Sequence, residues 1–257
     1  MMLKITERCT MNCQHCMNNA NKDGKDIKLE VLQDCLMFLK DNGLAKENLV
    51  ITGGEPTEHK DFDSILKEIF KFNEKFNHFN IISVTTNGEN IQKEPERFKD
   101  YVKQAEKNNI LLYFQVSADE RYYPRRIQTH KRIFREEGFI LVDDCIQQIY
   151  PQGRALENNI PWKSKCSKCF NVRALSHQLS NNATLRDIEM QLELKAKFCT
   201  PHIKIDGSIG LGESDLCPVC ATIYDGMKTI MDKIRKFKCS NCDHINKDLP
   251  ELYKALL

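Results

Sequence analysis

The chain has 257 residues, 41% of them apolar, enough to bury a substantial core. Lys plus Arg number 38 against 36 Asp plus Glu, and a net charge of +2 removes any general electrostatic reason to expect nucleic acid or an anionic membrane as partner. The opening MMLKITERCT lacks an apolar stretch of signal-peptide length, and no later run approaches the roughly 18 residues of a membrane span, so the expectation is a soluble, cytoplasmic protein whose cysteines are metal ligands or reactive thiols, not a disulfide framework.

The elements alternate along the chain. A first strand, LKIT, precedes an apolar stripe at helical spacing from about Leu29 to Leu39, which stops at DNG. Strand NLVIT follows, then a helix from about Phe62 to Phe72, strand IISVTT, a helix from about Pro95 to Glu106, strand LLYFQVS, a helix from about Arg126 to Glu136, and strand FILV, with room to continue toward Tyr150. Such alternation predicts parallel strands joined by right-handed crossovers. The fold class is therefore α/β: a partial (β/α) barrel of five or six parallel strands over residues 1–155, followed by a small cysteine-rich module over 156–257 with little regular periodicity.

In such barrels the chemistry gathers in the loops that follow the strands. Four motifs fall there in register: ERCTMNCQHC after the first strand, GGEP after the second, TTNG after the third and SADE after the fourth. Singly, a Gly-Gly or Asn-Gly pair marks a turn, Ser117 and Asp119 could cap a helix, and three cysteines could share a zinc ion with His15 or a remote residue. Cys9, Cys13 and Cys16, spaced CxxxCxxC, can instead bind three irons of a [4Fe–4S] cube and leave the fourth open to a small molecule.

With these motifs the chain resembles the radical S-adenosylmethionine (SAM) superfamily over about residues 3 to 155. His15 stands where such families usually carry an aromatic residue. The resemblance implies that Gly53, Gly54, Glu55 and Pro56 meet the methionyl ammonium of SAM, Glu55 organising the loop, and that Asn87, Ser117 and Asp119 contact its ribose and carboxylate. It also implies reductive cleavage of SAM to a deoxyadenosyl radical that removes hydrogen from a substrate, with a one-electron donor such as flavodoxin or ferredoxin as partner. No acid–base dyad is required.

The run RRIQTHKRIFR brings Arg125, Arg132 and His130 toward one helix face; it reads as a solvated face, with Arg132 the candidate to meet a carboxylate of the cofactor or substrate. PQGRA, around Arg154, resembles the stretch leading into the cysteine-rich extension of related enzymes, only 35 residues after Asp119. Cys35 reads as a buried core thiol. Cys145 reads as structural, or as a thiol that donates hydrogen to a substrate radical.

Two spacings compete in the tail. Cys217, Cys220, Cys239 and Cys242 read as a zinc ribbon, CxxC, eighteen residues, CxxC. Cys199, Gly212 and Cys217 resemble the start of a SPASM or twitch extension, which implies an auxiliary [4Fe–4S] cluster on Cys199, Cys217, Cys239 and Cys242, with Cys220 spare or an alternative ligand. Cys166 and Cys169 are unplaced: they could cap that site, bind zinc or stay as thiols. Enzymes with such extensions often modify ribosomally made peptides. Only eight residues precede Cys9, so no leader-binding domain is expected there, and a dehydrogenase of a sugar or other small molecule is the close alternative. A zinc-ribbon protein that binds nucleic acid is the rival from another class, with DKIRKFKCSNCDH only a thin version of the basic, aromatic patch it needs.

Overall fold

Five expected strands, β1 (Met2–Thr6), β2 (Leu49–Gly53), β3 (Ile81–Thr86), β4 (Leu111–Ser117) and β5 (Ile140–Asp143), pair in parallel in the order β5-β4-β3-β2-β1. The computed structural model describes residues 1–123, 131–143, 149, 152–160, 172–195, 200–212 and 217–237. Beyond β1 the sheet continues with β6 (Pro201–Ile203), parallel to β1, and with antiparallel β7 (Ser208–Leu211) and β8 (Val219–Thr222). Five of the six parallel strands lie within residues 1–155, in line with the five or six expected there. The sixth and the hairpin after it come from the tail, where strands of three or four residues are too short for a period-2 pattern to register.

The crossovers hold α1 (Leu29–Asp41), α2 (Phe62–Phe76), α3 (Glu89–Lys93), α4 (Pro95–Lys107) and α5 (Lys131–Glu136); α6 (Gly153–Glu157), α7 (Val172–Gln178), α8 (Leu185–Lys195) and α9 (Met227–Lys236) follow. The helix expected from Arg126 is described from Lys131 on, and its first residues lie outside the described ones. Helix α1 ends where DNG marks it, with Gly43 at φ +63°. Helix α2 outruns its expected end, because Phe76 packs on Phe72 with ring centroids 4.7 Å apart and Asn77 closes it in the left-handed region.

The two faces of the sheet differ. Leu3, Ile51, Val84, Phe114, Ile140 and Ile203 are register neighbours across six strands, all buried in one hydrocarbon row. On the other face the row-mates are Lys4 and Thr52, Ser83 and Tyr113, Thr85 and Gln115, with His202 beside Met2. A parallel sheet covered by helices on both sides carries near-continuous apolar strands, so polar alternation sets the second face apart from the hydrocarbon core.

Asn73, buried in α2, fixes the start of β3. Its Oδ1 accepts from His78 N at 2.8 Å and Phe79 N at 2.7 Å, and its Nδ2 donates to Asn108 O at 2.9 Å and Phe79 O at 3.3 Å. Truncation strands these backbone groups out of water. Asn73→Ala should lower unfolding stability by about 3 kcal/mol in a denaturant titration; a loss under about 0.5 kcal/mol would show that the four bonds contribute little.

Candidate active site

The cysteine loop leaves β1 and returns through a narrow neck. Glu7 N donates to Lys25 O at 2.8 Å, Ile27 N to Ile5 O at 2.8 Å, and Thr6 Oγ1 to Asp26 Oδ1 at 2.5 Å. Within the loop Cys9 N donates to Asn21 O and Cys16 N to Cys13 O, and Asn12 takes the left-handed conformation. All three thiols are free and half-buried. Burial pushes those of Cys9 and Cys13 up to about 12; Glu55 and Glu58 add to it at Cys9, whereas Arg154 opposes it at Cys13.

Three neighbouring segments hold this loop. From β2, Gly54 N donates to Thr6 O at 2.8 Å and Glu55 N to Arg8 O at 2.7 Å. A Cβ on Gly53 would lie 2.2 Å from Thr6 O, and one on Gly54 2.3 Å from Arg8 O, so both glycines exist to let the two backbones touch. Glu58, in the 3₁₀ turn Pro56–Glu58, accepts from Thr10 N at 2.9 Å and Thr10 Oγ1 at 2.7 Å.

Glu55 reaches the other way. Its fully buried carboxylate accepts from Thr57 N at 3.1 Å, Thr57 Oγ1 at 2.7 Å, Thr86 Oγ1 at 2.7 Å and Asn87 N at 2.6 Å. Burial raises its pKa against the pull of these four donors. The GGEP turn is thereby fastened to the TTNG loop. There Asn87 Oδ1 accepts from Glu89 N at 2.9 Å, while its buried Nδ2 has no partner.

The third segment is α6, which sequence reasoning treated only as a landmark. Arg154 donates through Nε to Cys13 O and through Nη1 to Ala20 O, each at 2.9 Å. Asn158 Nδ2 donates to Gln14 O at 3.1 Å. Gly153, at φ +55°, has no room for a Cβ: Asn19 Oδ1, Cys16 O and Met17 O would lie within 2.8 Å. The signal that could have found this clamp is a Gly-Arg pair after an apolar strand, but its partners are some 140 residues away.

His15 packs between two rings of the loop after β4, 4.8 Å from Tyr122 and 5.2 Å from Tyr123 by centroid. Burial, reinforced by Arg154 and opposed by Asp119, lowers its pKa to about 4, so it serves as a neutral aromatic ring in the place where an aromatic residue was expected. Ser117 bonds the Tyr123 hydroxyl. The carboxylate of Asp119 receives Arg121 N at 3.0 Å and Nε at 2.8 Å, and also the Nη2 of that arginine. In this state both residues shape the loop. Arg132 lies on α5, whose start is outside the residues with described side chains.

In the tail, Cys217 is buried with Sγ 3.8 Å from Gln152 Oε1, next to α6. Gly212, at φ +122°, leaves room for that sulfur, since a Cβ there would sit 2.5 Å from it. Cys220, on β8, directs its thiol to Ile209 O at 3.3 Å, and burial raises its pKa to about 12. Cys145, Cys166, Cys169, Cys199, Cys239 and Cys242, with Arg125 and His130, lie outside the described residues. Cys35 is in the core. Among the described residues no three His, Cys, Asp or Glu side chains converge as ligands of one metal ion, and no helix is long and apolar enough to cross a membrane.

The donor set fits a [4Fe–4S] cluster with SAM. Three thiols in one loop leave an iron open, a cationic cluster would reverse the burial penalty on the thiolates, and Asn87 Nδ2 offers an unused donor beside the loop. The family model of the Radical SAM superfamily matches residues 3–142, and the chain belongs to that superfamily, whose enzymes use this cluster and SAM. It is 26% identical over 236 residues to a GTP 3',8-cyclase of Aliarcobacter butzleri (strain RM4018), covering 89% of this chain and 64% of that protein. To the GTP 3',8-cyclase of Alkaliphilus metalliredigens (strain QYMF) it is 34% identical over 104 residues, 39% of this chain and 31% of the relative. The chain thus spans less than two thirds of the length of these curated relatives. Among solved structures, BtrN in an open conformation superposes with a TM-score of 0.52 at 14% identity, covering 96% of this chain and 89% of that one, a likeness of fold.

The glycine geometry adds a structural role to GGEP. Beside the expected contact with SAM, Gly54 has a structural part: a Cβ there would meet the backbone of the cysteine loop, 2.3 Å from Arg8 O. Gly54→Val should therefore lower reconstituted iron by half or more, measured per folded chain. Full iron with normal SAM affinity would show that the close approach is dispensable.

Proposed function

We propose that this radical SAM enzyme binds its cluster through Cys9, Cys13 and Cys16 and abstracts hydrogen from a small organic substrate on the polar face of the sheet. When bound and reduced, the cluster supplies an electron to the sulfonium of SAM and so yields the hydrogen-abstracting deoxyadenosyl radical. The observation that carries the reading is the fastening of the cysteine loop on three sides by Glu58, Gly54 with Glu55, and Arg154. Asn87 Nδ2 donates to the bound cofactor, and Gly53 to Pro56 form the wall it lies against. His15 and Tyr123 keep water from the loop. Ser117, Asp119 and Arg132 are proposed to meet the cofactor once it is present, which requires Asp119 to share its carboxylate with Arg121. A flavodoxin or ferredoxin is the proposed electron donor.

For the substrate, the small-molecule reading has the support of the polar face and of relatives named for a reaction of GTP. Peptide modification, implied by the tail, is the alternative. The residues after 155 are proposed to hold a second [4Fe–4S] cluster on Cys199, Cys217, Cys239 and Cys242. One feature supports this over zinc: Cys220, which the ribbon would need as a ligand, directs its thiol to a carbonyl of its own hairpin. Cys166 and Cys169 are left unassigned, and Cys145 stays a proposed hydrogen donor.

Changing Cys9, Cys13 and Cys16 together to Ala should abolish deoxyadenosine formation and leave about four irons per chain after anaerobic reconstitution. Adding Cys199→Ala should remove most of that iron, whereas Cys220→Ala should not. Continued SAM cleavage by the triple variant would refute the first assignment. Tightly bound zinc, indifferent to Cys199 and lost with Cys220, would refute the second.

A further inference from the structure

The turn after GGEP ends on a histidine that no proposed contact with cluster or SAM involves. His59 closes the 3₁₀ turn Pro56–Glu58 and is almost fully buried. Its amide donates to Pro56 O at 3.0 Å, and its carbonyl accepts from Phe62 N at 3.1 Å. The tautomer of its ring follows from its neighbours. Nδ1 lies 3.0 Å from Asp61 N, and a backbone N–H can only donate, so Nδ1 is the acceptor and the ring proton is on Nε2. Nε2 then donates to Ile27 O at 3.3 Å.

Each partner belongs to a different part of the fold. Asp61 is the N-cap residue of α2, and its own side chain makes no capping bond. Ile27 is where the cysteine loop rejoins the core: its side chain is buried, and its amide returns to Ile5 O at 2.8 Å. Gly24, whose Cβ would lie 2.3 Å from Glu7 O, lets the returning limb of the loop lie against the outgoing one. Neighbouring residues of one turn thus hold both limbs, Glu58 at Thr10 and His59 at Ile27. Neutral hydrogen bonds add little net stability, and an apolar side chain would withdraw no polar atoms from water at this place. What the imidazole adds is direction, because a rigid ring with an acceptor on one edge and a donor on the other fixes the start of α2 against the neck of the loop.

We infer that His59 is a positioning residue for the cofactor: it sets the returning limb of the cysteine loop against the GGEP turn, so that Cys9, Cys13 and Cys16 keep one placement relative to the residues that meet SAM. The inference rests on the proposed assignment of cluster and SAM to this loop and turn. His59 acts through Ile27 on the loop, and through its own turn on Thr57, whose amide and hydroxyl meet the Glu55 carboxylate.

The test uses the intact chain, anaerobically reconstituted, as wild type, as His59→Leu, as His59→Gln, which keeps a donor and an acceptor, and as Asn73→Ala, which loosens the core away from the loop. Amide hydrogen exchange reads the neck, as the rates of Glu7 and Ile27 relative to those of Ile82 and Val84 in β3, a ratio that a general loss of stability does not raise. Calorimetry reads SAM affinity. His59→Leu should raise the exchange ratio about tenfold and weaken SAM binding about fivefold or more, the scale of one lost hydrogen bond. His59→Gln should recover most of both losses, and Asn73→Ala should hold SAM affinity within about twofold. The inference is overturned if the ratio in His59→Leu matches wild type, or if it rises while SAM affinity holds, since the ring would then be a structural tie alone. It is also overturned if glutamine recovers nothing, or if Asn73→Ala weakens SAM binding as much as His59→Leu does. A wild type that binds no SAM would sink the proposed function instead, and the exchange ratio alone would then decide whether His59 holds the neck.

Discussion

The carboxylate of Glu55 is the constraint on which the site depends. It sits in the fold with almost no exposure and collects four donors from two loops, so that the ends of β2 and β3 cannot move independently. Burying a carboxylate costs several kcal/mol unless its lone pairs are met, and charge-assisted bonds of about 1.5–3 kcal/mol each offset that cost only while all four are in place. The arrangement is therefore close to all or none. Three residues on, Glu58 turns the opposite way and holds Thr10, so one short turn fastens the cysteine loop on one side and the asparagine loop on the other.

Around this turn the chain uses absent side chains as deliberately as present ones. Gly53 and Gly54 let β2 lie against the backbone of Thr6 to Arg8, and Gly153 lets α6 lie against Cys16 and Met17. The cysteine loop is thus gripped mostly through its own carbonyls and amides, which leaves its sulfurs free. The sheet beneath differs by face: hydrocarbon against the helices supplies stability, and the opposite, polar face is the one proposed to hold a substrate.

Much of this was legible in the sequence. The strand and helix alternation through residue 143, and the four motifs in register at strand ends, are local signals that survive without tertiary information. The Arg154 clamp was not legible, because its partners Cys13 and Ala20 are more than 130 residues away and nothing in GRA announces them. Strand β6 was missed because PHI is three residues long and opens on proline. The polar face was within reach and unused: in IISVTT, Ile82, Val84 and Thr86 alternate with Ser83 and Thr85, a pattern that a strand covered on both sides would not show. His15 looked like a departure in sequence, and its setting between two tyrosines makes it an aromatic ring in effect.

The most direct test of a cluster held by only three thiolates is Mössbauer spectroscopy of the iron-57-enriched, oxidised protein, in a variant whose tail cysteines Cys199, Cys217, Cys239 and Cys242 are changed to Ala. Addition of SAM should move the signal of one iron in about four to the values of a site with more oxygen and nitrogen ligands, leaving the others in place. Four irons unmoved by SAM, with SAM bound by calorimetry, would contradict an open iron on Cys9, Cys13 and Cys16 and with it the chemistry built on that loop.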